Sequence, residues 1–188
     1  MGRKKSHSII RRAIFVGLGA FFIAVVVSVL SQGLMANLRS VLSAIAVLLV
    51  IIFVGIIMDV VGTAVTAADE PVFHAMGARR QKGAMQGAWL VRNADGVANF
   101  CNDVVGDVSS AISGALGAGV ALRMASVDRS QLWMEILVTA SIAGLTVGGK
   151  ALGKSYAIRK ANRVIHTVGR LIASVGIEPG TDKGRKRK

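Results

Sequence analysis

Four long apolar runs divide this chain, and the polar positions that interrupt them are few and regularly placed. Residues 13–30 and 41–68 form the first two runs, and residues 97–122 and 132–153 form the last two. Each is near or above the ~20 residues that a helix needs to cross a bilayer. Residues 71–96 are too polar to span. There Val72, Phe73, Met76, Met85, Trp89 and Leu90 alternate with Arg79, Arg80, Lys82 and Arg92. That pattern predicts a helical hairpin at the membrane surface, turning near Gln81-Lys82-Gly83. Pro71 suits the first turn of its first helix. Residues 154–175 are basic and apolar at helical spacing, which predicts an amphipathic helix after the fourth span. The expected architecture is an all-α integral membrane protein with four spans, a juxtamembrane hairpin and a basic C-terminal helix.

Charge sharpens the topology. The chain is 53% hydrophobic, yet its net charge is +13. Residues 1–12 hold five of the 23 basic side chains, residues 71–96 hold four, and residues 150–188 hold eleven. Only Arg39, Arg123 and Arg129 lie in the two remaining links. The positive-inside rule then puts both termini and the hairpin in the cytoplasm, as in a bacterial inner membrane or a plasma membrane. A basic leader before an apolar run also fits a signal peptide, but the length of the run favours a retained helix. The tail, residues 176–188, is charged enough to be disordered and to hold anionic lipid at about 1 kcal/mol per basic group. Aromatic residues are not interleaved with the basic ones, so the charge does not suggest a nucleic-acid partner. Cys101 is the lone cysteine and excludes an intrachain disulfide framework.

The polar residues inside the apolar runs are the candidate chemistry. Asp59, Thr63, Thr66 and Glu70 recur every three or four residues and predict a polar stripe on the second helix. On the third helix, Asn99, Asp103 and Asp107 fall one turn apart, with Asn102, Gly106, Ser110 and Ser113 beside them. Asp59 and Asp107 each lie nine residues from a cytoplasmic helix end, so roughly 13 Å deep at the helical rise. Ionisable groups at that depth face protein, water or a cation, or they cost several kcal/mol. Carboxylates with Asn and Thr oxygens suit hard cations, Mg²⁺ or Na⁺, rather than zinc or copper. The candidate ligands are Asp59, Thr66, Glu70, Asn102, Asp103 and Asp107. The alternative is an ion pair in which Lys150 neutralises Asp103 or Asp107 and no ion is held. No catalytic constellation appears, so an enzyme is the least expected class.

Small residues pair at four-residue spacing along the third and fourth helices, including Ser110/Gly114, Ser113/Gly117 and Gly149/Gly153. Such pairs let helices approach closely, and a homodimer through these faces is expected.

The order of elements also resembles a known family. Thr66-Ala67-Ala68-Asp69-Glu70 ends one helix before the hairpin, and Gly106-Asp107 lies in the next. Residues 149–157, Gly-Lys-Ala-Leu-Gly-Lys-Ser-Tyr-Ala, then lead into a basic amphipathic stretch over residues 158–173. This is similar to the transmembrane domain of the CNNM/CorC family, over residues 45–173. The resemblance implies a dimer of three-helix protomers and a role in Mg²⁺ efflux. Ala67 stands where the family has Ser, Asp107 where it has Asn, Lys150 where it has an acidic residue, and Gly153 where it has Pro. The family's cytoplasmic CBS-pair and CorC domains have no counterpart here, and the first helix is additional. Two functions remain open: a cation transporter, or a membrane scaffold in which Lys150 locks the carboxylates.

Overall fold

A computed structural model describes residues 2–37, 41–124 and 130–177. Every element among them is helical. In order they are α1 (Gly2–Asn37), α2 (Val41–Ala67), α3 (Glu70–Ala78), α4 (Ala84–Arg92) and α5 (Ala94–Ala98). A π-helix follows, π1 (Asn99–Asp107), then α6 (Val108–Met124), α7 (Ser130–Arg159) and α8 (Ala161–Ser174). Arg39, the 125–129 link and the basic residues from Lys183 onward lie outside the described residues, as do the expectations placed on them.

Among the described residues three helices, not four, are long and apolar enough to cross a membrane: Leu42–Ala67, Ala94–Ala121 and Ile136–Arg159. Within α1 the described apolar stretch is Val16–Leu30. Its length is about 22 Å at the α-helical rise, against a hydrocarbon core of about 30 Å. The expected first span is therefore corrected to a shorter apolar segment. It packs on the bundle through a narrow face in which Val16, Ala20, Ile23, Val27 and Ser28 are half-buried.

The bundle forms around α2, which contacts α5, π1, α6, α7 and α8. Ala44, Leu48 and Ile52 of α2 meet Ile112, Leu116 and Val120 of α6. Both sets step by four residues, so two i, i+4 ridges interlock. Against α7, glycines provide the grooves. Ile56 of α2 fills the space beside Gly149, and Val60 and Ile56 fill the space beside Gly153. Because those glycines receive α2 side chains, they pack the helix without breaking it. The expected boundary at residue 153 therefore moves to Lys160, where the backbone leaves helical geometry at φ −126°. The outer surfaces stay apolar. Leu49, Val50, Phe53, Leu137, Val147 and Leu152 are all exposed.

One end of the bundle has its own core. Phe73, Ala88, Leu90 and Ile165 are buried with Ala64, Val65 and Ala157. The hairpin turns between α3 and α4 as expected, with positive φ at Arg80 (53°) and Gly83 (86°). Helix α8 buries Ala161, Ile165 and Gly169, one residue per turn. Gly83 and Gly169 bring α4 and α8 together backbone to backbone, since a Cβ on either would strike the other's main chain. Asn162 ties the same helix to the α2–α3 turn. Its Oδ1 accepts the Asp69 N–H at 2.8 Å, and its Nδ2 donates to Asp69 Oδ2 at 3.3 Å.

Candidate functional site

Three glycine–polar pairs form the seam between α2 and the following π1–α6 helix. Gly55, Asp59 and Gly62 recur on one face of α2, and Asn102, Gly106 and Ser109 recur with the same four-then-three spacing opposite them. The helices run antiparallel, so the sets pair end to end. Ser109 lies over Gly55, Asp59 borders Gly106, and the Asn102 carboxamide fills the space beside Gly62. Each glycine thus makes room for a polar side chain from the other helix. Without a Cβ in the way, carboxylate and carboxamide reach the partner backbone inside the bundle.

Two oxygens in this seam lack hydrogen-bond partners. Asp59 is 3% exposed. Its Oδ2 and the Oδ1 of Asn102 are both shielded from solvent with no donor in bonding geometry. An acceptor left so costs about 1–3 kcal/mol, and more when charged. Most native proteins avoid that cost, so two orphans on facing helices need an explanation.

Lysines from α7 approach from the side. Lys150 Nζ donates to the Gly106 carbonyl at 3.2 Å and to Asp107 Oδ1 at 3.4 Å. The same carbonyl accepts the Ser110 hydroxyl at 2.8 Å. One helical turn further on, Lys154 Nζ stands 3.4 Å from Asp59 Oδ2, an ion pair without hydrogen-bond alignment. A Cβ on Gly106 would be 3.7 Å from Lys150 Nζ and 3.8 Å from Asp59 Oδ1, so ammonium and carboxylate flank one glycine.

Local geometry explains why Asn102 and Asp103 point different ways. Asn99–Asp107 is wound as a π-helix, whose i→i+5 bonding makes a wider turn than the α-helix that the polar spacing predicts. The expected single stripe is split. Asn99, Asp103 and Asp107 face outward, whereas Asn102 and Gly106 face α2. Stretches of π-helix are rare and frequently mark functional sites.

The six expected ligands do not converge. Asp59 and Asn102 share the seam, while Asp103 and Asp107 are exposed on the outer face of π1. The Thr66 hydroxyl is exposed and donates to the Thr63 carbonyl at 2.9 Å. Glu70 belongs to the hairpin, where Arg92 Nη2 donates to its Oε1 at 2.7 Å and Arg92 Nε at 3.1 Å. His74 Nε2 is 3.1 Å from the same oxygen. The Arg92 guanidinium, and then the His74 ring, hold the Glu70 carboxyl below its ordinary pKa. Among the described residues no three His, Cys, Asp or Glu side chains are grouped to hold a metal ion. Sequence reasoning found the Lys150–Asp107 pair but missed Lys154, Gly55, Gly62 and Ser109. The signal that could have found the last three was the matching four-then-three spacing on two helices.

Comparison with protein-family models, curated proteins and solved structures returned no match.

Proposed function

We propose that this chain is a multi-pass membrane protein that binds a hard cation in the α2–π1 seam as a step in moving it across the bilayer. The carrying observation is the pair of buried oxygens, on Asp59 and Asn102, that accept no hydrogen bond. A carboxylate and a carboxamide oxygen are the donors that Mg²⁺ or Na⁺ prefers. Mg²⁺ is the first cargo to test, because the CNNM/CorC resemblance implies it. Backbone carbonyls and water complete the oxygen set, since grouped carboxylates do not. In the geometry described, the Lys154 ammonium sits where it neutralises Asp59, and an arriving cation displaces it. Outward-facing Asp103 and Asp107, beside half-exposed Ser110 and Gly114, support a second copy or water against that side of π1. The charge distribution supports cytoplasmic termini, with anionic lipid at the tail.

The test is a thermal-unfolding series on the purified full chain in detergent, with Mg²⁺, Na⁺ or choline as the cation. A shift with Mg²⁺ or Na⁺ that Asp59→Asn and Asn102→Ala abolish is the expected result. Flux in proteoliposomes should fall in the same variants. Absence of any cation-specific shift in the wild type overturns the reading.

A second reading, a lysine-locked membrane scaffold, is favoured by one observation. Asp107, Asp59 and Glu70 each have a basic partner of their own, which leaves exposed Asp103 as the one expected acidic ligand without an ion pair among the described residues. Under that reading the wild type shows no cation shift and no flux. Stability lost in Lys154→Met then returns when Asp59→Asn is added.

A further inference from the structure

A polar cavity lies at the kink between α7 and α8, away from the seam. It has a volume of about 440 Å³ and is lined by Ala67, Asp69, Arg159, Lys160, Asn162 and Arg163. Arg159, Lys160 and Arg163 are exposed, and among the described residues none of them is ion-paired. Their concentration within five residues has a cause in the fold. Helix α7 ends at Arg159 and α8 begins at Ala161, so the kink turns basic residues from two helices towards one opening. The single acid present, Asp69, is already engaged by Asn162 through both its backbone N–H and its carboxylate.

Position narrows the occupant. Ala67 and Arg159 are the terminal residues of two of the three membrane-length helices, so the cavity lies at the level where both spans end. Immediately below, α7 presents Leu152 and Tyr156, both more than half exposed and on the same helix face as Arg159. A cationic opening directly above an exposed apolar helix face matches a molecule with a phosphate at one end and acyl chains at the other. Guanidinium groups bind phosphate oxygens in bidentate geometry, and lysine adds a point charge. We propose that this cavity binds the phosphate of an anionic phospholipid in the adjoining leaflet. The lipid's acyl chains then lie along the Leu152–Tyr156 face of α7. The site is separate from the tail, and it rests on the membrane reading of the chain.

The experiment reconstitutes the full chain into phosphatidylcholine nanodiscs with or without phosphatidylglycerol. Native mass spectrometry then counts the lipids retained on release. Wild type should retain phosphatidylglycerol over phosphatidylcholine. Arg159→Gln, Lys160→Gln and Arg163→Gln should each weaken retention about fivefold, the equivalent of about 1 kcal/mol per basic group at an anionic surface. The charge-keeping Arg159→Lys should retain most of the binding, which separates charge from fold, and helix content by circular dichroism checks each variant. A variant with Lys183, Arg185, Lys186, Arg187 and Lys188 all changed to Gln should keep its preference. Equal lipid retention by wild type and Lys160→Gln overturns the site, as does loss of all preference in the tail variant. Protection by inorganic phosphate alone, matching that by lipid, overturns the lipid assignment in favour of a soluble anion. A chain that inserts but shows no lipid preference refutes this site alone. One that fails to insert refutes the membrane reading and the site together.

Discussion

The Asn102 carboxamide occupies the volume that a Cβ on Gly62 would need, so these two positions are sterically coupled across the α2–π1 seam. Gly62→Ala should force the carboxamide aside and destabilise by about 1–3 kcal/mol, the range for overpacking a tight core. Asn102→Ala should remove the clash, so the double variant should lose less than the sum of its parts. Denaturant unfolding of the four proteins in detergent measures the coupling. Strict additivity would show that the two residues do not touch.

The two lysine pairs should differ in strength because their acids differ in burial. The Asp59 side chain is 4% exposed beside Lys154, whereas that of Asp107 is 73% exposed beside Lys150. Removing one partner of a fully buried pair costs about 3–5 kcal/mol. Half-exposed Lys154 brings the expectation for Lys154→Met down to about 2 kcal/mol, with solvent screening taken into account. Lys150→Met should cost less. Thermal unfolding ranks them, and the reverse order would count against the assignment of Asp59 as the buried charge.

Gly169→Ala places a methyl group against the Gly83 carbonyl and the Gly87 amide. The two helices must separate, at a cost of about 1–3 kcal/mol. Hydrogen exchange should accelerate in α8 and α4 while the α2–α6 ridge stays protected. By contrast, a Cβ on Gly114 meets nothing within 4 Å in one copy of the chain. Gly114→Leu therefore reports on a second copy: a shift from dimer to monomer in sedimentation is the expected outcome. Gly117→Leu is a poorer probe, because Gly117 packs against Ile142 of the same chain.

Glu70 gives a pH prediction with a definite sign. Its carboxyl is held below the ordinary value by Arg92 and His74. A depressed acid contributes stability that is complete above its unfolded pKa, about 4.3 for Glu, and is lost as pH falls through the folded value. Acidification below about pH 4 should thus loosen α3 from α4. Glu70→Gln should flatten that part of the profile, as read by exchange rates in the hairpin at a series of pH values.

Sidedness follows from the contact between hairpin and C-terminal helix. His166 Nε2 lies 3.2 Å from the Lys82 carbonyl, so the α3–α4 turn and α8 share one end of the bundle. In a Cys101→Ala background, cysteines at Arg80 and Arg163 should be labelled by an impermeant reagent from the same side. Opposite labelling would refute the packing of α8 on α4.

How far the sequence disclosed this arrangement depended on which force set each feature. Burial and length set α2, so its run over residues 41–68 matched Val41–Ala67 within a residue. The turn near Gln81-Lys82-Gly83 was legible because Gly83 readily takes the positive φ it shows, whereas nothing in the sequence marks Arg80 for φ 53°. Gly149 and Gly153 were legible as a close-packing pair, and α2 fills the space beside both. The end of α7 at Arg159 was not legible, because the basic amphipathic pattern begins before the helix ends. Nor could the periodicity reveal π1. Its residues were assigned by α-helical spacing, which merges into one stripe positions that the wider turn sends to opposite faces. Lys154 falls at the start of the predicted amphipathic helix, and only the continuity of α7 sets it beside Asp59.

The π-helix also changes what an insertion or deletion does here. A π turn closes its hydrogen bonds over one more residue than an α turn. In an ordinary spanning helix, losing one residue rotates everything beyond it by about 100° and turns a packed face outward. Between Asn99 and Asp107 the wide winding already holds surplus chain, so a one-residue deletion there can close as α-helix and leave α5 and α6 in their present register. The frame of the bundle would then outlive the loss, whereas the alignment of Asn102 with Gly62 would not. In this stretch, a change in chain length separates folding from function more cleanly than a substitution does.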